Sequence, residues 1–155
     1  MRDFSIYEVG PRDGLQNLPH VVPVDDRIDL IKMLSRAGLK DIEAASFVNP
    51  RAVPSMAGAA KVMRGCQGID ARLSALVPNA RGLHDAMDAG VEHFNIFLSG
   101  SETFNYRNLG KNLQQASEDY DHMLEVNEIP RNKVRVYVSL AFSTDLEKVE
   151  AAIYE

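Results

Sequence analysis

The sequence predicts an α/β fold built on a parallel sheet, and three observations carry that prediction. Short apolar runs alternate with amphipathic stretches along the whole chain. Two helical stretches stop at a glycine and a strand follows at once, in Ala37-Gly38-Leu39 and in Ala89-Gly90-Val91. Five strand-then-helix units fill the 155 residues, and such alternation places helices on the faces of a parallel sheet. No linker, charge block or low-complexity segment divides residues 1–155, so they read as one domain.

The first strand is expected at Phe4–Val9, closed by the turn formers Gly10 and Pro11. A helix over about 25–37 follows, capped by Asp25 or its neighbour, with Ile28, Ile31, Leu34 and Ala37 on one face. Gly38 ends it in the position where a left-handed residue satisfies the last carbonyls. Leu39–Ala44 is the second strand, 55–64 a helix and Arg72–Val77 the third strand. Asn79 starts a helix running through Met87, and Phe94–Leu98 is the fourth strand. Ser101, Glu102 and Asn105 read as a polar loop before a long helix over 112–127. Val134–Leu140, rich in β-branched and aromatic residues, is the fifth strand. Ser143 or Thr144 then caps a helix that is still running at Glu155.

Two architectures compete for this pattern. A doubly wound sheet usually carries a glycine-rich phosphate loop after its first strand. Here that loop is Gly10-Pro11-Arg12-Asp13-Gly14, with an ionic pair where close backbone approach would need glycine. The other choice is a (β/α)8 barrel, whose active-site groups sit at the carboxyl ends of its strands. Five units would be its first five-eighths.

Composition narrows the function classes. With 17 Lys+Arg against 22 Asp+Glu, the net charge of -5 argues against broad nucleic-acid binding and leaves room for a local basic pocket. The single cysteine, Cys66, cannot form an intrachain disulfide and suits a reducing compartment. No apolar run approaches the ~20 residues that span a bilayer. The N-terminus lacks the apolar core of a signal peptide, so the cytoplasm is the expected location.

The polar residues that follow strands carry the chemistry. Arg12, Asp13, Gln16 and Asn17 follow the first; Glu43 lies in the second, which runs on to Ser46 and Phe47. Asn79 follows the third strand and Ser101 the fourth, while the fifth bears Arg135 near its start. Each also has a structural reading. Arg12-Asp13 could be a charged turn, and Asn79 a helix cap. Glu43 sits among Ile42, Ala44 and Ala45, so its carboxylate needs a partner; Arg12 is the natural one, in a site or in a plain core ion pair. The four histidines show no metal-ligand spacing, Cys66 has no local base, and the scattered methionines fit core packing.

These residues carry a family resemblance. Glu8-Val9-Gly10-Pro11-Arg12-Asp13-Gly14-Leu15-Gln16-Asn17 resembles the opening strand and loop of the 3-hydroxy-3-methylglutaryl-CoA lyase family of metallolyase barrels. Ile42-Glu43 with Ser46-Phe47-Val48 and Pro50, Val77-Pro78-Asn79 with Gly82, Ser101-Glu102 with Asn108, and Val134-Arg135 keep the family's order. The resemblance implies an α/β fold of the (β/α)8 TIM-barrel type, incomplete, as the N-terminal part of a pyruvate carboxyltransferase/HMG-CoA lyase-like domain. It implies an acyl-CoA substrate, cleaved to acetoacetate and acetyl-CoA with a divalent metal, Mg2+ or Mn2+. Asp13 would be a metal ligand, Arg12 would stabilise the enolate on the thioester oxygen, and Glu43 would hold Arg12. Gln16, Ser46, Asn108 and Arg135 would contact substrate or support the site.

Departures from the family matter too. Its His-x-His strand, its later metal-binding Asn and its Gly-rich Cys loop do not occur here, and Ala141-Phe142-Ser143-Thr144 stands where a Cys-containing loop normally follows the fifth strand. A chain ending at Glu155 should therefore bind metal weakly and be inactive alone, and its open sheet edges should favour self-association or a homo-oligomer. A related lyase or synthase for another acyl-CoA or 2-oxo acid, or a non-catalytic half-barrel assembly module, are the alternatives. No nucleic acid or membrane partner is expected.

Overall fold

The computed structural model describes residues 4–139. Within it the chain forms two compact units that divide after Phe94. The first holds β1 (Tyr7–Glu8), α1 (Val24–Arg36), β2 (Asp41–Ser46), α2 (Ala59–Gly65), β3 (Arg72–Leu76) and α3 (Ala80–Asp88). β4 (His93–Ser99) begins at the division. The second unit continues with α4 (Glu102–Leu109), α5 (Leu113–Val126) and β5 (Val134–Ser139). The helix expected after Ser143 lies outside the described residues.

In the first unit β1, β2 and β3 pair in parallel and in chain order, Tyr7 opposite Asp41 and Asp41 opposite Arg72. β2 is buried along nearly its whole length, as expected of a strand covered on both faces. Ile42, Ala44 and Ala45 from β2 join Ile31 of α1, Val62 and Met63 of α2, and Leu83 and Ala86 of α3 in the core. The helix stops fall where the sequence places them: Gly38 and Gly90 take φ values of 99° and 81°, a region side chains avoid.

Several boundaries differ from the sequence reading for physical reasons. β1 is shorter than Phe4–Val9, because Phe4 and Ile6 are exposed and only Tyr7 and Glu8 pair with β2. β2 starts later and reaches Ser46. α1 begins behind Pro23 with no side-chain cap; Asp25 and Asp26 lie in its first turn, where carboxylates favour the helix dipole. The helix expected over 55–64 splits into a short 3-10 turn at Pro54–Met56 and α2, separated by Gly58 at φ 78°.

The second unit corrects one element. Ser101, Glu102 and Asn105 are not a loop: Ser101 caps α4 by accepting from the Phe104 amide, and Asn105 is fully buried. Asn105 clamps the end of β4, its Oδ1 accepting from the Ser99 amide (2.8 Å) and its Nδ2 donating to the Ser99 carbonyl (2.6 Å). Phe97 and Phe104 pack as tilted rings 6.0 Å apart. α5 opens with a capping box between Asn112 and Gln115. β5 lies beside β4, with the Gly100 amide donating to the Ser139 carbonyl at 3.0 Å, and it exposes Val136 and Val138.

Candidate active site at the carboxyl ends of the first strands

The segment Gly10–Gly14 after β1 is wound into a single π-helical turn. Val9 caps it through its carbonyl, which accepts from the amides of Arg12 (3.1 Å) and Asp13 (2.7 Å). The Glu8 carboxylate folds back onto the Gly10 amide at 2.6 Å, and a Cβ at Gly10 would displace that carboxylate. Such wide turns recur at functional sites because they hold consecutive side chains in fixed directions.

The directions here converge on β2. One Arg12 nitrogen, Nη2, donates to Glu43 Oε2 at 2.9 Å, and Nη1 donates to Asp13 Oδ1 at 2.7 Å. The Glu43 side chain is 0% exposed, Arg12 12% and Asp13 55%, so the three charges run from core to surface. A buried carboxylate without a cation would be strongly unfavourable, which makes Glu43 a rigid anchor for the guanidinium.

A β-bulge adds a fourth group. Glu43 pairs with Ser74 and Ser46 with Leu76, with a register shift between Glu43 and Ala45. Ser74 and Leu76 are two apart on a regular strand and share a face. The extra residue on β2 therefore brings Ser46 onto the face of Glu43, which regular alternation would deny it. That face carries the Asp41–Arg72 ion pair at its amino end, with Tyr7 Oη 2.5 Å from Ser74 Oγ above it.

Ser46 is 1% exposed, and its hydroxyl has no hydrogen-bond partner among the described residues. Gln16 Oε1 is likewise buried without a partner. The Gln16 carbonyl accepts from Ser55 Oγ at 3.1 Å, tying the loop after β1 to the loop after β2, and Gln16 lines a 310 Å³ pocket between them.

Of the remaining sequence candidates, Asn108 and Arg135 belong to the second unit and Asn79 to the first. Asn108 is exposed on α4, its Nδ2 donating to the Phe104 carbonyl of its own helix at 2.9 Å. Arg135 is the second residue of β5, exposed and at the strand's amino end. Asn79 caps α3 by accepting from the Gly82 amide at 2.9 Å.

Sequence reasoning did not single out Arg27. It is 1% exposed and donates from Nη1 to the Ala57 carbonyl at 2.8 Å, pinning the approach to α2, and burial lowers its pKa. Its only sequence signal is a cation on the buried side of an amphipathic helix. Burial also raises the Cys66 thiol, in keeping with a packed and inert cysteine. Among the described residues no group of three His, Cys, Asp or Glu side chains could hold a metal.

Comparison with known proteins shows the family to which the chain belongs. A family model described as HMGL-like matches residues 3–155. The mitochondrial hydroxymethylglutaryl-CoA lyase of Rattus norvegicus is 40% identical over 146 residues, covering 92% of this chain and 44% of that protein. The 3-hydroxy-3-isohexenylglutaryl-CoA/hydroxymethylglutaryl-CoA lyase of Pseudomonas aeruginosa is 41% identical over 135 residues, 86% of this chain and 45% of that protein. A crystal structure of hydroxymethylglutaryl-CoA lyase from Pseudomonas aeruginosa superposes with a TM-score of 0.85 at 35% identity, covering 96% of this chain and 52% of that one. The chain thus spans about half the length of these relatives. The fold class is α/β of the (β/α)8 TIM-barrel type, incomplete, with five strands described. By its sequence and its fold, the chain belongs to the HMGL-like family.

Proposed function

We propose that the chain supplies the arginine-bearing part of a carbon–carbon lyase site that cleaves 3-hydroxy-3-methylglutaryl-CoA to acetoacetate and acetyl-CoA. One observation carries this reading: Arg12, just past the carboxyl end of one parallel strand, is held at 2.9 Å by a fully buried glutamate of the next. Cleavage transfers the proton of the tertiary hydroxyl, in net terms, to the carbon that becomes the acetyl-CoA methyl group. The hydroxyl oxygen becomes the ketone of acetoacetate as the adjacent carbon–carbon bond breaks. The bonding electrons pass into the thioester carbonyl, which becomes an enolate oxygen. A guanidinium stays charged at every working pH and, fixed beforehand by Glu43, opposes that oxygen without reorganising. Ser46 Oγ and Gln16 Oε1, buried and without partners among the described residues, can hydrogen-bond a bound acyl group. Asn108 and Arg135 remain supporting candidates by resemblance alone.

The family resemblance also implies Mg2+ or Mn2+. Asp13 offers an oxygen donor suited to such a cation, but it is a single carboxylate already paired with Arg12. The described residues do not fit a complete metal site, and no step is assigned to one. The isolated chain should therefore show no turnover with either cation, and appreciable turnover would refute the incomplete site. Joining residues 1–139 to the complementary part of the Pseudomonas aeruginosa lyase should restore cleavage; a folded chimera that releases no acetyl-CoA would refute the lyase reading.

A second reading is favoured by that relative's name, which includes a 3-hydroxy-3-isohexenylglutaryl-CoA activity. A longer branch on the substrate would leave the Arg12 chemistry unchanged, and assay of both thioesters on the chimera separates the two. We also place the protein in the cytoplasm, supported by its one unpaired cysteine, and expect it to self-associate through exposed strand residues such as Val136 and Val138. A clean 17.2 kDa species in light scattering would contradict self-association. Among the described residues no helix is long and apolar enough to cross a membrane.

A further inference from the structure

Arg27, Ile31 and Ser35 form the buried stripe of α1, four residues apart. The stripe thus opens on a cation. Arg27 is 1% exposed, yet only Nη1 has a partner, the Ala57 carbonyl at 2.8 Å; Nε and Nη2 are buried without one among the described residues. No carboxylate pairs with it among those residues, so the burial is uncompensated. A charge held in the core for a single hydrogen bond lowers stability, and a methionine would fill much the same space without that penalty. What the guanidinium does, and a methionine could not, is hold the Ala57 carbonyl.

Ala57 ends the 3-10 turn Pro54–Met56, and Val24, one turn before Arg27 on the same face of α1, meets the residue after it. There Gly58 stands at φ 78°, and a Cβ would lie 2.7 Å from Val24 Cγ2. α1 therefore grips two consecutive residues. Ser55, inside the same turn, donates from Oγ to the Gln16 carbonyl at 3.1 Å. Residues 17–23 lead from Gln16 back to α1, which closes a ring: α1 to Ala57, the turn to Ser55, Ser55 to Gln16. Gln16 and Ser55 both line the 310 Å³ pocket, and Gln16 Oε1 is buried without a partner among the described residues.

We infer that Arg27 is a positioning residue for Gln16, acting through Ala57 and Ser55 on the binding of the acyl group, an inference that rests on the lyase reading. Arg12 has its own supports, the Val9 carbonyl behind its amide and Glu43 beyond its guanidinium. Loss of Arg27 therefore weakens substrate binding and leaves the bond-breaking step alone. That reads as a change in KM without one in kcat.

Hydrogen exchange on the 155-residue chain tests the linkage directly. Arg27→Met should speed exchange by about tenfold or more at Met56 and Ala57, whose amides close the turn, and also at Leu18, beyond the Ser55–Gln16 bond. Ser55→Ala should speed Leu18 as well, and the double variant should exchange no faster there than the faster single one, because the two residues act in series. Arg27→Lys, which keeps a donor for Ala57, should restore slow exchange at all three amides. Should Arg27→Met fail to fold, Arg27→Gln, whose shorter side chain stops short of Ala57, takes its place. Leu18 exchange that ignores the loss of Arg27, or effects at Leu18 that multiply in the double variant, would overturn the inference. In the chimera with the Pseudomonas aeruginosa lyase, Arg27→Met should raise KM about tenfold with kcat within about twofold, and Arg27→Lys should restore KM. A fall in kcat with KM unchanged would overturn the inference as well. A parent chimera that releases no acetyl-CoA would count against the lyase reading, and exchange at Leu18 would still decide the role of Arg27.

Discussion

Glu43 and Ser46 share one strand face, yet their removal should have opposite consequences. Glu43→Ala strips the anchor from a guanidinium that is only 12% exposed. Breaking such a pair on one side costs about 3 kcal/mol, visible as a lower urea midpoint. Ser46→Ala deletes a buried hydroxyl that has no partner among the described residues, so stability should stay within about 0.5 kcal/mol or rise slightly. A Glu43→Ala chain as stable as the parent would mean the pair is too solvated to fix Arg12. The partnership of Arg12 and Glu43 was legible in the sequence because a carboxylate among Ile42, Ala44 and Ala45 must find a cation. The alignment of Ser46 with Glu43 was not legible, since it depends on a bulge set by the register between β2 and β3.

At the scale of elements, what is local could be read and what is tertiary could not. Gly38, Gly90 and the Asn79 cap act within one turn of chain and mark their helix ends directly. α4 was missed because its buried residue is Asn105 rather than an apolar one, so its pattern reads as a polar loop. The helix is tied to β4 instead by two hydrogen bonds between Asn105 and the backbone of Ser99, one accepted and one donated by Asn105. Asn105→Leu keeps the volume and removes both, leaving the Ser99 amide without that acceptor. We expect a loss of about 2–3 kcal/mol, with faster hydrogen exchange at Ser99 than in the parent. Unchanged protection at Ser99 would show that α4 does not secure the end of β4. The π-helical turn at Gly10–Gly14 belongs to the same class: its residues suggest a turn, but the Val9 carbonyl that organises it is identified only by the fold.

For the molecule as a whole, burial sets an alkaline limit on stability. Desolvation raises the thiol of Cys66 and the hydroxyl of Tyr120, the latter partly offset by a backbone hydrogen bond from Phe97 and raised further by Asp119. Groups with a raised folded pKa stay protonated in the native state while the unfolded chain loses its protons. Their stabilisation is complete below the unfolded pKa values, near 9 for the thiol and 10 for the phenol, and is lost as pH rises through the folded values. Urea midpoints should therefore fall above about pH 9, and Cys66→Ala should remove the earlier part of that fall. A flat profile to pH 11 would contradict the burial of both groups.

The central claim is that a guanidinium, fixed by a buried carboxylate, meets the charge that forms on the thioester oxygen. Its most direct test is the turnover of the chimeric lyase carrying Arg12→Gly, with and without added guanidinium ion. The loss should be about 100-fold or more, as for removal of a group that stabilises an oxyanion, and free guanidinium should restore part of it by occupying the vacated place beside Glu43. Turnover within about tenfold of the parent would contradict the claim, because Arg12 would then be structural and the charge would be met elsewhere.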